Sequence, residues 1–309
     1  MQNDQYDLIV IGAGVTGMHA VRQAMQRGLK TASIEASMFG GLVTNINELT
    51  GPVHGSGADL AAALMEEIMN LGADILSGEA SAIAAEGGVL AITADGSQYR
   101  GRAVIVASGA RFRQLGVPGE DEFEHKGVAH CADCDGPFYK GQDVVVVGGG
   151  DSALQEALVL AAFCRTVHLA HRGGEFRGRQ ALAAAVAANE RVQVHWHTRV
   201  EEILGDQGVR CVRLIDVRSQ ARHELACKGV FPYIGLEPAA AFVPDAVQRD
   251  AQGALLTGAD YQTAIPGVFA AGAVRAGYRG SLQDAIAEGQ GAAQAAAALL
   301  GCGTTAEPH

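Results

Sequence analysis

Residues Asp7–Ile11 (DLIVI) run straight into Gly12-Ala13-Gly14-Val15-Thr16-Gly17, and a helix-like stretch from Met18 to Arg27 follows. The apolar run reads as a buried parallel strand. Gly28 stops the helix, and Thr31–Ile34 returns as a second strand that ends at Glu35. In a chain with 41 glycines a lone GxGxxG is weak evidence. Strand, glycine loop, helix, strand and a terminal acid together are far more specific. In such a unit the first glycine makes the turn, the second admits a pyrophosphate, and the third lets helix pack on strand. The helix N-terminus then faces the negative charge.

The unit occurs twice. Asp143–Val147 (DVVVV) enters Gly148-Gly149-Gly150-Asp151-Ser152-Ala153, with a helix from about Ala153 to Phe163 and a strand over Thr166–Ala170. Ala103–Ala107, followed by Ser108-Gly109-Ala110, closes the first copy; Gly229–Ile234, followed by Gly235, closes the second. The fold class is therefore α/β, with two Rossmann-like dinucleotide-binding domains. The copies differ where they meet a ribose. Glu35 accepts hydrogen bonds from free ribose hydroxyls and repels a 2′-phosphate, which suits FAD or NAD. His171-Arg172, with Arg177 and Arg179 shortly after, suits the phosphate dianion of NADPH. A merely solvated basic loop is the competing reading of that cluster.

The chain has 309 residues, enough for about two domains. Hydrophobic residues make up 48%, which supplies a substantial core. The balance of 34 Asp and Glu against 23 Lys and Arg, net −11, argues against nucleic-acid and anionic-membrane partners. Met1–Tyr6 is polar without a basic, cleavable pattern, and no apolar run reaches a membrane span, so a cytoplasmic protein is expected. Cys131, Cys134, Cys164, Cys211, Cys227 and Cys302 are scattered except for the first two. That usage fits a reducing compartment, where a CxxC is catalytic or metal-binding.

Just before the second copy lies Gly127-Val128-Ala129-His130-Cys131-Ala132-Asp133-Cys134-Asp135-Gly136. Zinc would need a second close-set ligand pair, and none is spaced for it. A redox dithiol beside two dinucleotide sites is chemically coherent, since a nicotinamide reduces a flavin and the flavin a disulfide. Asp135 stands where a proton donor to such a pair is needed, although it also suits a turn cap before Gly136. His130 is a candidate for lowering a cysteine pKa, with ordinary packing as the alternative. The single tryptophan, Trp196, carries no readable chemistry.

Cys131–Gly136, the following Phe138-Tyr139, the Gly148–Ala153 loop, Ser108-Gly109-Ala110 and Gly267–Gly272 (GVFAAG) together resemble the low-molecular-weight thioredoxin reductases. The resemblance covers nearly the whole chain. It implies a discontinuous FAD-binding domain, 1–117 and 244–309, with a NAD(P)H-binding domain, 118–243, inserted in it and carrying the CxxC. For FAD it implies Gly12, Gly14, Gly17 and Glu35, then Gly40, Gly41 and Ala110, then Gly272, Ala273 and Gln283. For NADPH, with NADH the alternative donor, it implies Gly148, Gly150, Asp151, Ser152 and Ala153, then His171, Arg172 and Arg177. Cys134 would exchange electrons with the flavin, Cys131 with the substrate, and Asp135 would handle the proton. The implied partner is thioredoxin, a similar protein or a small-molecule disulfide or dithiol, and the implied assembly is a homodimer. Ala273 replaces the family's aspartate, Leu282 its arginine before Gln283, and Gly173 one of three arginines for the 2′-phosphate. Two other readings stand beside a reductase: a dithiol oxidase on the same scaffold, and a low-turnover flavoprotein sensor.

Overall fold

The computed structural model describes residues 5–46, 49 and 55–302. The first four residues of the polar start lie outside the described residues. The chain forms two compact units, Met1–Arg111 with Glu237–His309, and Phe112–Leu236. The boundaries expected from sequence, 117/118 and 243/244, lie a few residues later along the chain.

In the first unit β1 (Gln5–Ile11), α1 (Val15–Gln26) and β2 (Thr31–Glu35) are followed by α2 (Gly57–Asn70) and β3 (Asp74–Ser77). A meander of β4 (Ala80–Glu86), β5 (Val89–Ala94) and β6 (Ser97–Val106) comes next, and β7 (Ala110–Phe112) leads out. In the second unit α3 (Ala132–Asp135), β8 (Asp143–Gly148), α4 (Asp151–Phe163) and β9 (Thr166–His171) precede α5 (Gln180–Ala188) and β10 (Val192–Trp196). There follow β11 (Thr198–Gly205), β12 (Val209–Asp216), β13 (Arg222–Ala226) and β14 (Gly229–Tyr233). The chain returns through β15 (Leu236–Pro238) to β16 (Val268–Ala270) and α6 (Leu282–Leu299).

The two units share a plan. The first sheet runs β3-β2-β1-β6-β5-β4, with β16 also on β6, and the second runs β10-β9-β8-β14. In each, the glycine loop leaves the strand that lies between its returning partner and the closing strand, and these pairings are parallel. β1 is buried on both faces: Leu8 and Val10 join the core that includes α1 and α6, while Ile9 and Ile11 join the opposite core. Each such side chain stabilises by about 1.5–3 kcal/mol when fully buried. Ala292, Ala293, Ala296 and Ala297 of α6 are all buried in the first of these cores. At Gly289 a Cβ would come within 2.2 Å of the Thr16 carbonyl oxygen, so α6 lies against α1 only because that position is glycine.

Both glycine-loop helices begin earlier than the apolar pattern suggests, at Val15 and Asp151. The reason is the N-cap. Gly14 and Gly150 are extended, and neither helix has a side-chain cap. No capping side chain marks the start in the sequence, and the first-turn N–H groups are left for something else. Cys164 sits just past the end of α4 and is buried.

Candidate active site

In the first unit Gly12 has φ +106°, and a Cβ there would lie 2.4 Å from the Ala107 carbonyl oxygen. At Gly17 a Cβ would lie 1.8 Å from the Gly12 carbonyl oxygen. Neither position admits a side chain. At Gly14, by contrast, a Cβ would meet only the Gly40 oxygen, at 3.8 Å, so the loop is open over the helix N-terminus. No acid stands in the first turn of α1 to compete with a phosphate. Glu35 ends β2 half-buried; its Oε2 accepts the Ala13 N–H at 2.6 Å and its Oε1 the Ser37 N–H at 3.0 Å. Gly40 and Gly41 turn the chain beside this loop with φ +98° and +61°. A cleft of about 500 Å³ adjoins Gly12 and Glu35, with Glu79, Ser81, Asp95 and Ser108 among its walls. A bare cradle over a helix dipole, with a carboxylate at the strand end, fits the adenosine diphosphate half of a flavin dinucleotide.

Gly272 has φ +76°, and its N–H donates to Glu288 Oε2 at 2.8 Å. Glu288 is a buried carboxylate, paired with Arg275 through Nε at 3.0 Å. Ala273 follows half-buried, Gln283 is exposed in the first turn of α6, and Ala110 is half-buried on β7. The Glu288–Arg275 pair holds the Gly272 turn and carries no motif; its only trace in the sequence is a glutamate inside an Ala- and Gly-rich helix.

In the second unit Gly148 (φ +152°) has no room for a Cβ, which would lie 2.4 Å from the Tyr233 carbonyl oxygen. Gly150 is open, with nothing within 4 Å of a Cβ. Ala153, buried, takes the place that Gly17 holds in the first copy. Asp151 accepts the Arg179 N–H at 2.6 Å and Nε at 2.9 Å, so Arg179 closes the loop. Ser152 is exposed beside it. His171 is buried against the loop: a Cβ at Gly149 would be 2.4 Å from its ring, and its Nε2 donates to the Glu175 carbonyl at 2.9 Å. Burial lowers its pKa, so it acts as a neutral spacer under the loop. Arg172 and Arg177 are exposed and form no ion pair among the described residues. Two free guanidinium groups past an uncapped helix N-terminus fit a nicotinamide dinucleotide with a phosphorylated ribose. Trp196 lies in register with His171, its ring 4.4 Å from that of Phe176, and so flanks this site.

Cys131 and Cys134 form a disulfide. Cys131 is the N-cap of α3, and its Sγ accepts the Cys134 N–H at 3.2 Å. Cys134 is exposed. Gly136 seats the turn, since a Cβ would lie 2.9 Å from the Phe163 ring. Asp135 is half-buried, and burial raises its carboxyl pKa against the opposing pull of His125 and His130. It opens into a cleft of about 830 Å³ whose walls include Lys126, Phe138, Arg210 and Lys228. Phe138, four residues past Cys134, is 84% exposed. His130 is stacked on Phe112 at 5.0 Å and its Nε2 faces Glu124 Oε1 at 3.4 Å, so packing and pairing hold it.

Residues 6–295 match the family model described as pyridine nucleotide-disulphide oxidoreductase. The chain is 37% identical over 306 residues to the thioredoxin reductase of Treponema pallidum (strain Nichols), covering 97% of this chain and 98% of that one. It is 38% identical over 272 residues to that of Mycolicibacterium smegmatis, covering 86% and 88%. The structure of Lactococcus lactis thioredoxin reductase in its FR conformation superposes with a TM-score of 0.86 at 33% identity, covering 96% of this chain and 99% of that one. The chain belongs to the pyridine nucleotide-disulphide oxidoreductases and, within them, to the low-molecular-weight thioredoxin reductases. It is an enzyme of the NAD(P)H:disulfide oxidoreductase type, and the family implies a flavin and a pyridine nucleotide. The dithiol-oxidase and sensor readings are not favoured. Among the described residues no helix is long and apolar enough to cross a membrane.

Proposed function

We propose that the protein reduces thioredoxin, or a similar small protein disulfide, with electrons from NADPH carried through FAD and the Cys131–Cys134 pair. The observation that carries this reading is the disulfide itself, at the start of α3 with the raised carboxyl of Asp135 beside it. When bound, the flavin supplies two-electron exchange between a nicotinamide and a disulfide. Gly12, Gly14, Gly17 and Glu35 would hold its adenosine diphosphate half in the first unit. Gly150, Arg172 and Arg177 would hold NADPH in the second, with Gly148, Ala153 and His171 shaping the loop and Asp151 and Ser152 lining the helix start.

In the reduced pair, the Cys131 thiolate attacks one sulfur of the outside disulfide, forming a mixed disulfide and releasing one thiol. Cys134 then attacks the Cys131 sulfur, which reforms the internal disulfide and releases the second thiol. Asp135, kept protonated to higher pH by burial, supplies the proton that a departing thiolate takes up. The exposed Phe138 ring, with Lys126 and Lys228 on the same cleft, suits a folded protein partner with an apolar spot beside its disulfide. The reading places the chain in the cytoplasm as a homodimer. Anaerobic reduction with NADPH, followed by addition of the host's own thioredoxins, tests it. Rapid reoxidation by a thioredoxin is expected, and reoxidation only by oxygen would contradict it.

A further inference from the structure

The basic run after β9 has two side chains missing, at Gly173 and Gly174; His171 lies against the first, and a segment from elsewhere in the second unit lies against the second. A Cβ at Gly173 would lie 2.8 Å from His171 Nε2, so an arginine there would displace the buried histidine. A Cβ at Gly174 would lie 2.7 Å from the His197 ring and 3.9 Å from Arg218 Nη2. The approach is built by backbone. The His197 N–H donates to the Gly173 carbonyl at 3.0 Å, and the His197 carbonyl accepts the Val217 N–H at 2.7 Å. His197 sits at φ +53°, a left-handed conformation that costs energy at a non-glycine residue, which is where the chain turns from β10 to β11. One residue beyond Val217, the Arg218 and Ser219 N–H groups are fixed by Asp216 Oδ1 at 2.8 and 2.7 Å. Arg218 is exposed, and its guanidinium makes no ion pair among the described residues. Asp216, the nearest carboxylate on that turn, is engaged by the turn's own N–H groups.

We propose that Arg218, from the β12–β13 turn, is a third cation for the 2′-phosphate of NADPH, beside Arg172 and Arg177. Gly174 leaves room for the His197 ring, and Arg218 Nη2 lies at contact distance from the same position. This rests on the NADPH reading above. A guanidinium on a phosphate dianion discriminates only against the unphosphorylated nucleotide, so its signature is selectivity and not overall affinity.

Calorimetric titration of the flavin-loaded protein with NADP⁺ and with NAD⁺ tests the assignment without turnover. Wild-type protein should bind NADP⁺ more tightly than NAD⁺. Arg218→Gln should weaken NADP⁺ binding about tenfold, the scale of one charge-assisted hydrogen bond, and leave NAD⁺ binding unchanged. Arg218→Lys should retain part of the preference. Wild-type protein that does not distinguish the two nucleotides overturns the NADPH reading and this assignment with it. A wild-type preference that survives undiminished in Arg218→Gln overturns the assignment alone, as does an equal loss of both nucleotides.

Discussion

The two glycine loops descend from one plan and end in different chemistry. Each follows a strand of the same rank, β3-β2-β1-β6 against β10-β9-β8-β14, and each opens on a helix whose N-terminus no side chain caps. In the first, the returning strand ends at Glu35, whose carboxylate is already drawn to the loop by the Ala13 N–H at 2.6 Å. In the second it ends at a buried His171, and free arginines lie just beyond. On the proposed reading the loops would supply generic pyrophosphate binding, while the residues at the end of the second strand and just past it would decide the ribose. The second unit also carries what the first lacks, a disulfide whose turn packs on the glycine-loop helix through Gly136 and Phe163.

The largest expected effects fall on that addition. Cys131→Ser and Cys134→Ser should each lower disulfide-directed turnover by at least about 10³-fold with flavin content unchanged, since the pair acts as a unit. Stopped-flow reduction and a thioredoxin assay check it. Asp135→Asn should slow turnover by roughly 10²-fold, the scale of a lost general acid. Its pH profile sharpens the assignment. Burial raises the carboxyl pKa, so the proton is held to higher pH and activity should fall as pH rises through that value. The asparagine variant should lack this limb.

Two smaller effects separate the loops themselves. Gly17→Ala drives a Cβ to 1.8 Å from the Gly12 oxygen and should destabilise the first unit by about 1–3 kcal/mol with loss of flavin retention. Glu35→Gln should weaken flavin binding about tenfold and leave nicotinamide binding intact, read by flavin release and by titration with NADP⁺. At the position matching Gly17 the second loop has alanine. Ala153→Gly should therefore cost only about 0.5–1 kcal/mol, seen in thermal unfolding of the protein.

The duplicated strand-loop-helix units and the CxxC were legible because each is written in consecutive residues, apolar runs cut by glycine and a close-set cysteine pair. Helix starts were not, because Gly14 and Gly150 leave the N-termini without a capping side chain to read. Glu288 and Arg275 were invisible because their pairing exists only after α6 docks. Trp196 carried no readable chemistry, and Arg218 stood in no motif, for the same reason: they approach His171 and Gly174 through sheet register and a distant turn. Sequence spacing carries a motif, and the fold alone carries a meeting of two loops.

The central claim is that the Cys131–Cys134 disulfide, and not the flavin alone, takes up electrons from the pyridine nucleotide. Anaerobic titration with NADPH, using an NADPH-regenerating system and thiol labelling at the end point, measures it directly. The account predicts about two equivalents of reductant per chain, one for the flavin and one for the disulfide, with both Cys131 and Cys134 newly labelled. The Cys131→Ser, Cys134→Ser double variant should take about one. Uptake of only one equivalent by the wild-type protein, with neither cysteine labelled, would contradict it.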